Sequence, residues 1–154
     1  MKHLIKKYQP QCMFYSFAMA MNIEPDSIIN LLGHNGTDKV FPFPAPKCYR
    51  GFHISEMVYT CFHFGFTCYE FPKNLMLGQT PESAQVIIPP YDIGTLLLNH
   101  SGVIMNEKHA WAWDRKVVYD PDGPIWAIGE IHWDTFYLIK ANNSNNSNKG
   151  LINS

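Results

Sequence analysis

His109-Ala-Trp-Ala-Trp113, then Asp114-Arg115, then Lys116-Val-Val-Tyr-Asp120: this stretch decides the fold. Two short runs of β-branched and aromatic residues on either side of a polar pair read as a β-hairpin. With Asp114-Arg115 as a two-residue turn, Trp113 pairs with Lys116, Ala112 with Val117, Trp111 with Val118, Ala110 with Tyr119 and His109 with Asp120. A four-residue loop keeps that pairing and a three-residue loop slips it by one. Directly opposed side chains have Cβ atoms about 5 Å apart, so a carboxylate at 120 reaches an imidazole nitrogen at 109.

Outward from the hairpin, Gly102 to Met105 and Trp133 to Lys140 are predicted strands, and Phe66 to Phe71 alternates as a further one. Upstream the period changes. Pro10 holds Gln9 extended, so a helix starts near Gln11 or Cys12 and runs to Met21, apolar on nearly every side and therefore central. Pro25 opens and Gly33 closes a second helix. Ile54, Met57, Val58, Cys61 and Phe62 mark the apolar stripe of a third helix over 53–64, ended by Gly65. Ile93, Leu96 and Leu97 suggest a short fourth one. Segments 35–50 and 72–90 are proline-rich and expected as ordered loops, with Val86-Ile87-Ile88 as a strand or a buried run. Helices first and strands later, without regular alternation, define an α+β chain. Residues 1–140 form its single domain, and 141–154 is an Asn/Ser-rich flexible tail.

At 154 residues, 46% of them hydrophobic, the chain supports one sizeable core. A net charge of −1 gives no electrostatic reason to expect nucleic acid or an anionic membrane as partner. No run approaches the ~20 apolar residues of a membrane span, and the basic start is not followed by a signal-peptide core. The expected location is therefore cytoplasmic, where the four cysteines Cys12, Cys48, Cys61 and Cys68 stay reduced.

One thiol stands apart. Cys12 opens a helix, where unpaired backbone N–H groups and the positive end of the dipole favour thiolate. An imidazole to take its proton (His109) and a carboxylate to orient that imidazole (Asp120) complete a nucleophile of the Cys-His-Asp type. The Cys12 backbone N–H and a side-chain amide, Gln9 or alternatively Gln11, are the candidate oxyanion donors. The bland readings are a buried structural cysteine, a strand histidine and an Asp-Pro turn residue at Asp120. Cys48, His53, Cys61, His63 and Cys68 lack the paired spacing of a zinc module, so no metal and no cofactor is expected.

Gln9-Pro10-Gln11-Cys12 opening an apolar helix, His109-Ala-Trp-Ala-Trp113 at a late strand start, and Val118-Tyr119-Asp120-Pro121 on the next strand resemble papain-like cysteine peptidases. The nearest flavour is the C39-like group, whose members process leader peptides before export; similar small stand-alone proteins occur in bacteria and their phages. The resemblance spans about residues 8–138, with its motifs on some twenty positions. It implies a papain-like fold, a helical part and an antiparallel sheet with a cleft between them. It implies too a thiol protease or amidase acting on a peptide or protein through a thioester, with Cys12 as nucleophile, His109 as base and Asp120 as orienter. A phage-encoded member would act in the host cytoplasm. Two positions depart from the family: Lys6 stands where its oxyanion Gln, six residues before the Cys, is usual, and Met13 stands where Gly often follows the Cys. They support the alternative, an inactive papain-like fold serving as a protein-binding module, such as a phage protein that holds a host factor. Substrate sequence, acyl acceptor and oligomeric state are not written in these residues.

Overall fold

A computed structural model describes residues 1–37, 52–72 and 93–142. Most of the 35–50 and 72–90 loops, Cys48, the Val86-Ile87-Ile88 run and the tail from Asn143 lie outside those residues.

A 3-10 turn, Gln9–Gln11, leads directly into α1, Cys12–Met21. Asn22 ends it in the left-handed region at φ 54°. α2 follows as Pro25–Leu32, opened by its proline and closed by Gly33, whose φ of 79° suits a residue without Cβ and whose N–H reaches the Ile29 carbonyl at 2.8 Å. α3 is Ile54–His63 and α4 is Ile93–Asn99. The strands are β1 Phe66–Pro72, β2 Ser101–Met105, β3 Ala110–Asp114, β4 Val117–Tyr119, β5 Ile125–Ala127 and β6 Thr135–Ala141. They form one antiparallel sheet in the order β1-β6-β2-β3-β4-β5. The chain is a mixed α+β protein, as its element order predicts.

The two faces of the sheet carry different cores. On one, Val103, Ala110, Tyr137 and Ile139 meet α1, α2 and α3 through Phe14, Phe17, Ile28, Met57 and Cys61. On the other, Ile104, Trp111, Trp113, Val118, Phe136 and Leu138 pack with Leu97 of α4 and with Trp133. Burying a Phe or Ile side chain is worth about 1.5–3 kcal/mol, so both faces contribute to stability. α1 rests on β3 and β2, where Ala110 and Ala112 are small enough to admit it. Its buried hydroxyl, Ser16, is satisfied by the Cys12 carbonyl at 2.7 Å.

Three expectations are corrected. The hairpin turn is Arg115-Lys116, not Asp114-Arg115, because Arg115 adopts φ 57°; Trp113 therefore pairs with Val118 and Ala112 with Tyr119, a shift of two. A shift of two keeps every side chain on its face. The stripe of α3 is narrower than its periodicity suggests: Met57 and Cys61 are buried, whereas Val58 and Phe62 face solvent, Phe62 at 80% exposure. β5 was not anticipated, and β6 starts two residues later than Trp133 and continues one past Lys140. No helix among the described residues is long and apolar enough to cross a membrane.

Candidate active site

Because α1 lies over β3, its first residue arrives where β3 begins. There the Cys12 sulfur lies beside the His109 side chain and the Ala110 backbone N–H, both of which favour its thiolate. The β2–β3 loop fixes His109 through Asn106, whose Oδ1 accepts from the backbone N–H of His109 at 2.8 Å and of Lys108 at 2.9 Å. Asn106 is itself anchored, its Nδ2 donating to the His132 carbonyl at 2.9 Å.

Asp120 leaves the end of β4 and is only 6% exposed. One carboxylate oxygen lies 2.8 Å from His109 Nε2 and accepts the Asp122 backbone N–H at 2.9 Å. The other accepts the indole N–H groups of Trp111 at 3.1 Å and Trp126 at 3.2 Å. Continuing the observed register sets Asp120 across from Trp111, with His109 diagonal to it on the same face. The turn role and the orienting role of Asp120 thus coexist, since Gly123 N–H also closes the turn on the Asp120 carbonyl at 3.0 Å. With Nε2 engaged by Asp120, Nδ1 is the ring nitrogen left for the sulfur, giving a line of thiol, imidazole and carboxylate.

The electrostatics agree with that line. Burial alone would push the Cys12 thiol up, but the His109 hydrogen bond and charge, the Ala110 N–H and the Lys6 ammonium outweigh it and hold the thiol below its ordinary value. Burial would likewise lower His109, yet hydrogen bonds and charges from Cys12 and Asp120 hold it above the ordinary imidazole value. Asp120 is desolvated, which opposes ionisation, but the Asp122 N–H, His109 and the Trp126 indole keep its carboxyl below the usual carboxylate range. Each partner favours the charged form of the next.

The two glutamines differ. Gln11 is buried, its carboxamide accepting Tyr8 N–H at 3.1 Å and donating to the Asn35 carbonyl at 2.8 Å. Gln9 is exposed on the 3-10 turn, so it is the one of the pair not held by those contacts. Of the zinc candidates among the described residues, His53 caps α3, His63 lies edge-on to Phe64, and Cys61 of α3 and Cys68 of β1 lie close enough to shift each other's thiol. His109, Asp120 and Asp122 do bring three ligand-type atoms within 4.8 Å of one another. The cation facing that group is the Lys6 ammonium, 2.6 Å from Asp122 Oδ1.

The structure brings the candidates Cys12, His109 and Asp120 together, and around them stand Asn106, Trp111, Trp126, Asp122 and Lys6, to which sequence reasoning gave no place in the site. The signal for Trp111 was present: at i+2 from His109 it must share the face that Asp120 uses. Behind the carboxylate, Asn106, Trp111, Trp126, Ile131 and His132 line a hollow of about 250 Å³. No family model matches this chain, and neither a curated protein nor a solved structure matches it.

Proposed function

We propose that this protein is a papain-like cysteine hydrolase, a peptidase or amidase. The observation that carries the reading is His109, set between the Cys12 thiol, whose charged form it favours, and Asp120, 2.8 Å from its Nε2. A thiol at a helix N-terminus, a general base and a buried orienting carboxylate are the parts acyl transfer needs.

The Cys12 thiolate attacks the substrate carbonyl carbon, forming a C–S bond while the carbonyl π electrons move to oxygen. The Cys12 backbone N–H and the Gln9 amide are the donors the sequence offers to that oxyanion. As the intermediate collapses, the C–N bond breaks and imidazolium His109 gives its proton to the departing amine, leaving a thioester. Neutral His109 then takes a proton from water, whose oxygen attacks the thioester carbon; the C–S bond breaks and the acid leaves. Asp120 stays ionised, holding the ring and stabilising its charged form.

Iodoacetamide at about pH 6, with mass-spectrometric mapping of the four cysteines, tests this, because an ordinary thiol of pKa ~8.5 is nearly inert there. Cys12 is expected to be modified selectively, and His109→Ala to abolish the selectivity. Equal, slow labelling of all four cysteines would instead support the inactive binding module, a reading that half-buried Met13, crowding the position after Cys12, favours.

A further inference from the structure

Lys6 has a buried side chain, 7% exposed, yet it carries a charge that the hydrolase reading does not use. Its backbone N–H donates to the Pro121 carbonyl at 2.9 Å, which ties the segment before the nucleophile to the turn carrying Asp120 and Asp122. Its ammonium lies 2.6 Å from Asp122 Oδ1 and donates to the Gln9 carbonyl at 3.3 Å. The second oxygen of Asp122 is 3.9 Å from His109 Nε2, the nitrogen that Asp120 also holds. Two carboxylates therefore stand within reach of one ring nitrogen, and a cation faces one of them.

We propose that Lys6 is a positioning residue of the site, whose ammonium keeps Asp122 from displacing Asp120 at His109 and adds a second positive charge near the sulfur. The inference rests on the hydrolase reading and adds to it a residue that touches neither the thiol nor the ring. The charged and titratable groups around the pair are His109 and Asp120 from the hairpin, Asp122 from the turn after it, and His3. The His3 Nε2 lies 2.8 Å from the Asp120 carbonyl. Lys6 is the permanent cation among them. Burying an ammonium is costly unless it is paired, and Asp122 and the Gln9 carbonyl supply that pairing. Its field acts on Cys12 in the same direction as that of His109.

The test is the pH profile of Cys12 alkylation in wild type, Lys6→Met and Lys6→Arg, each checked for folding by thermal melt. Lys6→Met is expected to slow Cys12 about five-fold at pH 6 while leaving the rate at pH 9, where the Cys12 thiol is largely ionised with or without Lys6, near that of wild type. Lys6→Arg should restore the pH 6 rate, since it keeps the charge. Should Lys6→Met not fold, Lys6→Gln, neutral and of similar reach, gives the same comparison. A Lys6→Met profile that overlays wild type, or that falls equally at both pH values, overturns the inference and leaves the nucleophile in place. A wild type whose Cys12 is no faster at pH 6 than its other thiols overturns the hydrolase reading and this inference with it.

Discussion

His109 Nε2 and Asp120 Oδ1 are 2.8 Å apart although the two residues are diagonal, not opposed, across the β3–β4 hairpin. The side chain directly across from Asp120 is Trp111, and it donates its indole N–H to the other carboxylate oxygen at 3.1 Å. The diagonal is spanned because His109 stands just before β3, with its backbone held by Asn106, and its ring lies edge-on to Trp111 with centroids 4.7 Å apart. The indole therefore fills the opposed position and sets both the carboxylate and the ring.

Asp120→Asn removes the charge that, together with Cys12, holds His109 above its ordinary value. A less basic imidazole leaves the Cys12 thiol less favoured as thiolate, so the midpoint of its alkylation should move up by about one pH unit. An amide nitrogen facing the indoles or His109 also leaves buried donors without an acceptor, at about 1–3 kcal/mol. Alkylation between pH 5 and 9 and urea unfolding measure the two effects separately. An unchanged midpoint in a folded variant would remove Asp120 from the charge line.

Stability should depend on pH through the same groups, in opposite senses. The Asp120 carboxyl is burdened by burial, but the Asp122 N–H, His109 and Trp126 lower it overall. The unfolded chain thus binds that proton more tightly, and the contribution of Asp120 is present above about pH 4 and lost as pH falls through the folded value. His109 is raised despite its burial, so its contribution is full below about pH 6.5 and is lost as pH rises through the folded value. Urea midpoints of wild type and Asp120→Asn should draw together as pH falls below the ordinary carboxylate value and separate near pH 6; a gap independent of pH would mean that the charge of Asp120 is not what stabilises.

Asn106→Ala should act on the site more than on the fold. Its side chain caps the backbone N–H groups of Lys108 and His109 and reaches the His132 carbonyl. Losing such a half-buried loop cap costs about 1 kcal/mol, whereas a ring released from its place loses its hold on Cys12. The expected result is a several-fold slower Cys12 alkylation at pH 6 with Tm lowered by only a few degrees. A rate equal to that of wild type would make Asn106 a loop residue and nothing more.

The elements were legible because each announces itself locally: Pro10 and Pro25 at helix starts, Gly33 and Gly65 at ends, alternation in β1, and runs of β-branched and aromatic residues in β2 and β3. The catalytic candidates were legible because parity, not register, decides which face a strand residue uses. The turn was placed one residue early, yet the pairing slipped by two, and His109 and Asp120 stayed on one face. Lys6, Asp122 and Asn106 were not legible, since their roles depend on how the N-terminal segment and two loops come together. No period encodes that approach. β5 escaped because Ile125, Trp126 and Ala127 are all exposed, so burial leaves no alternation to read.

Gly102 shows how closely the sheet is packed away from the site, at the far end of β3 from His109. It sits in β2 between Leu138 of β6 and Trp113 of β3, and a Cβ added there would lie 1.9 Å from the Tyr137 carbonyl oxygen and 2.8 Å from the Trp113 ring. The carbonyl is backbone in a paired strand and cannot turn away, so the strands must separate. Trp113 is fully buried and its indole N–H is bonded to the Leu97 carbonyl at 2.8 Å, so the ring has nowhere to move either. Overpacking of this kind costs about 1–3 kcal/mol, and a backbone clash belongs at the upper end. Gly102→Ala is therefore expected to lower the urea midpoint well below that of Asn106→Ala, while the fraction still folded alkylates Cys12 at the wild-type rate at pH 6. A stability within a few tenths of a kcal/mol of wild type would mean that β2 and β6 are farther apart than this register allows.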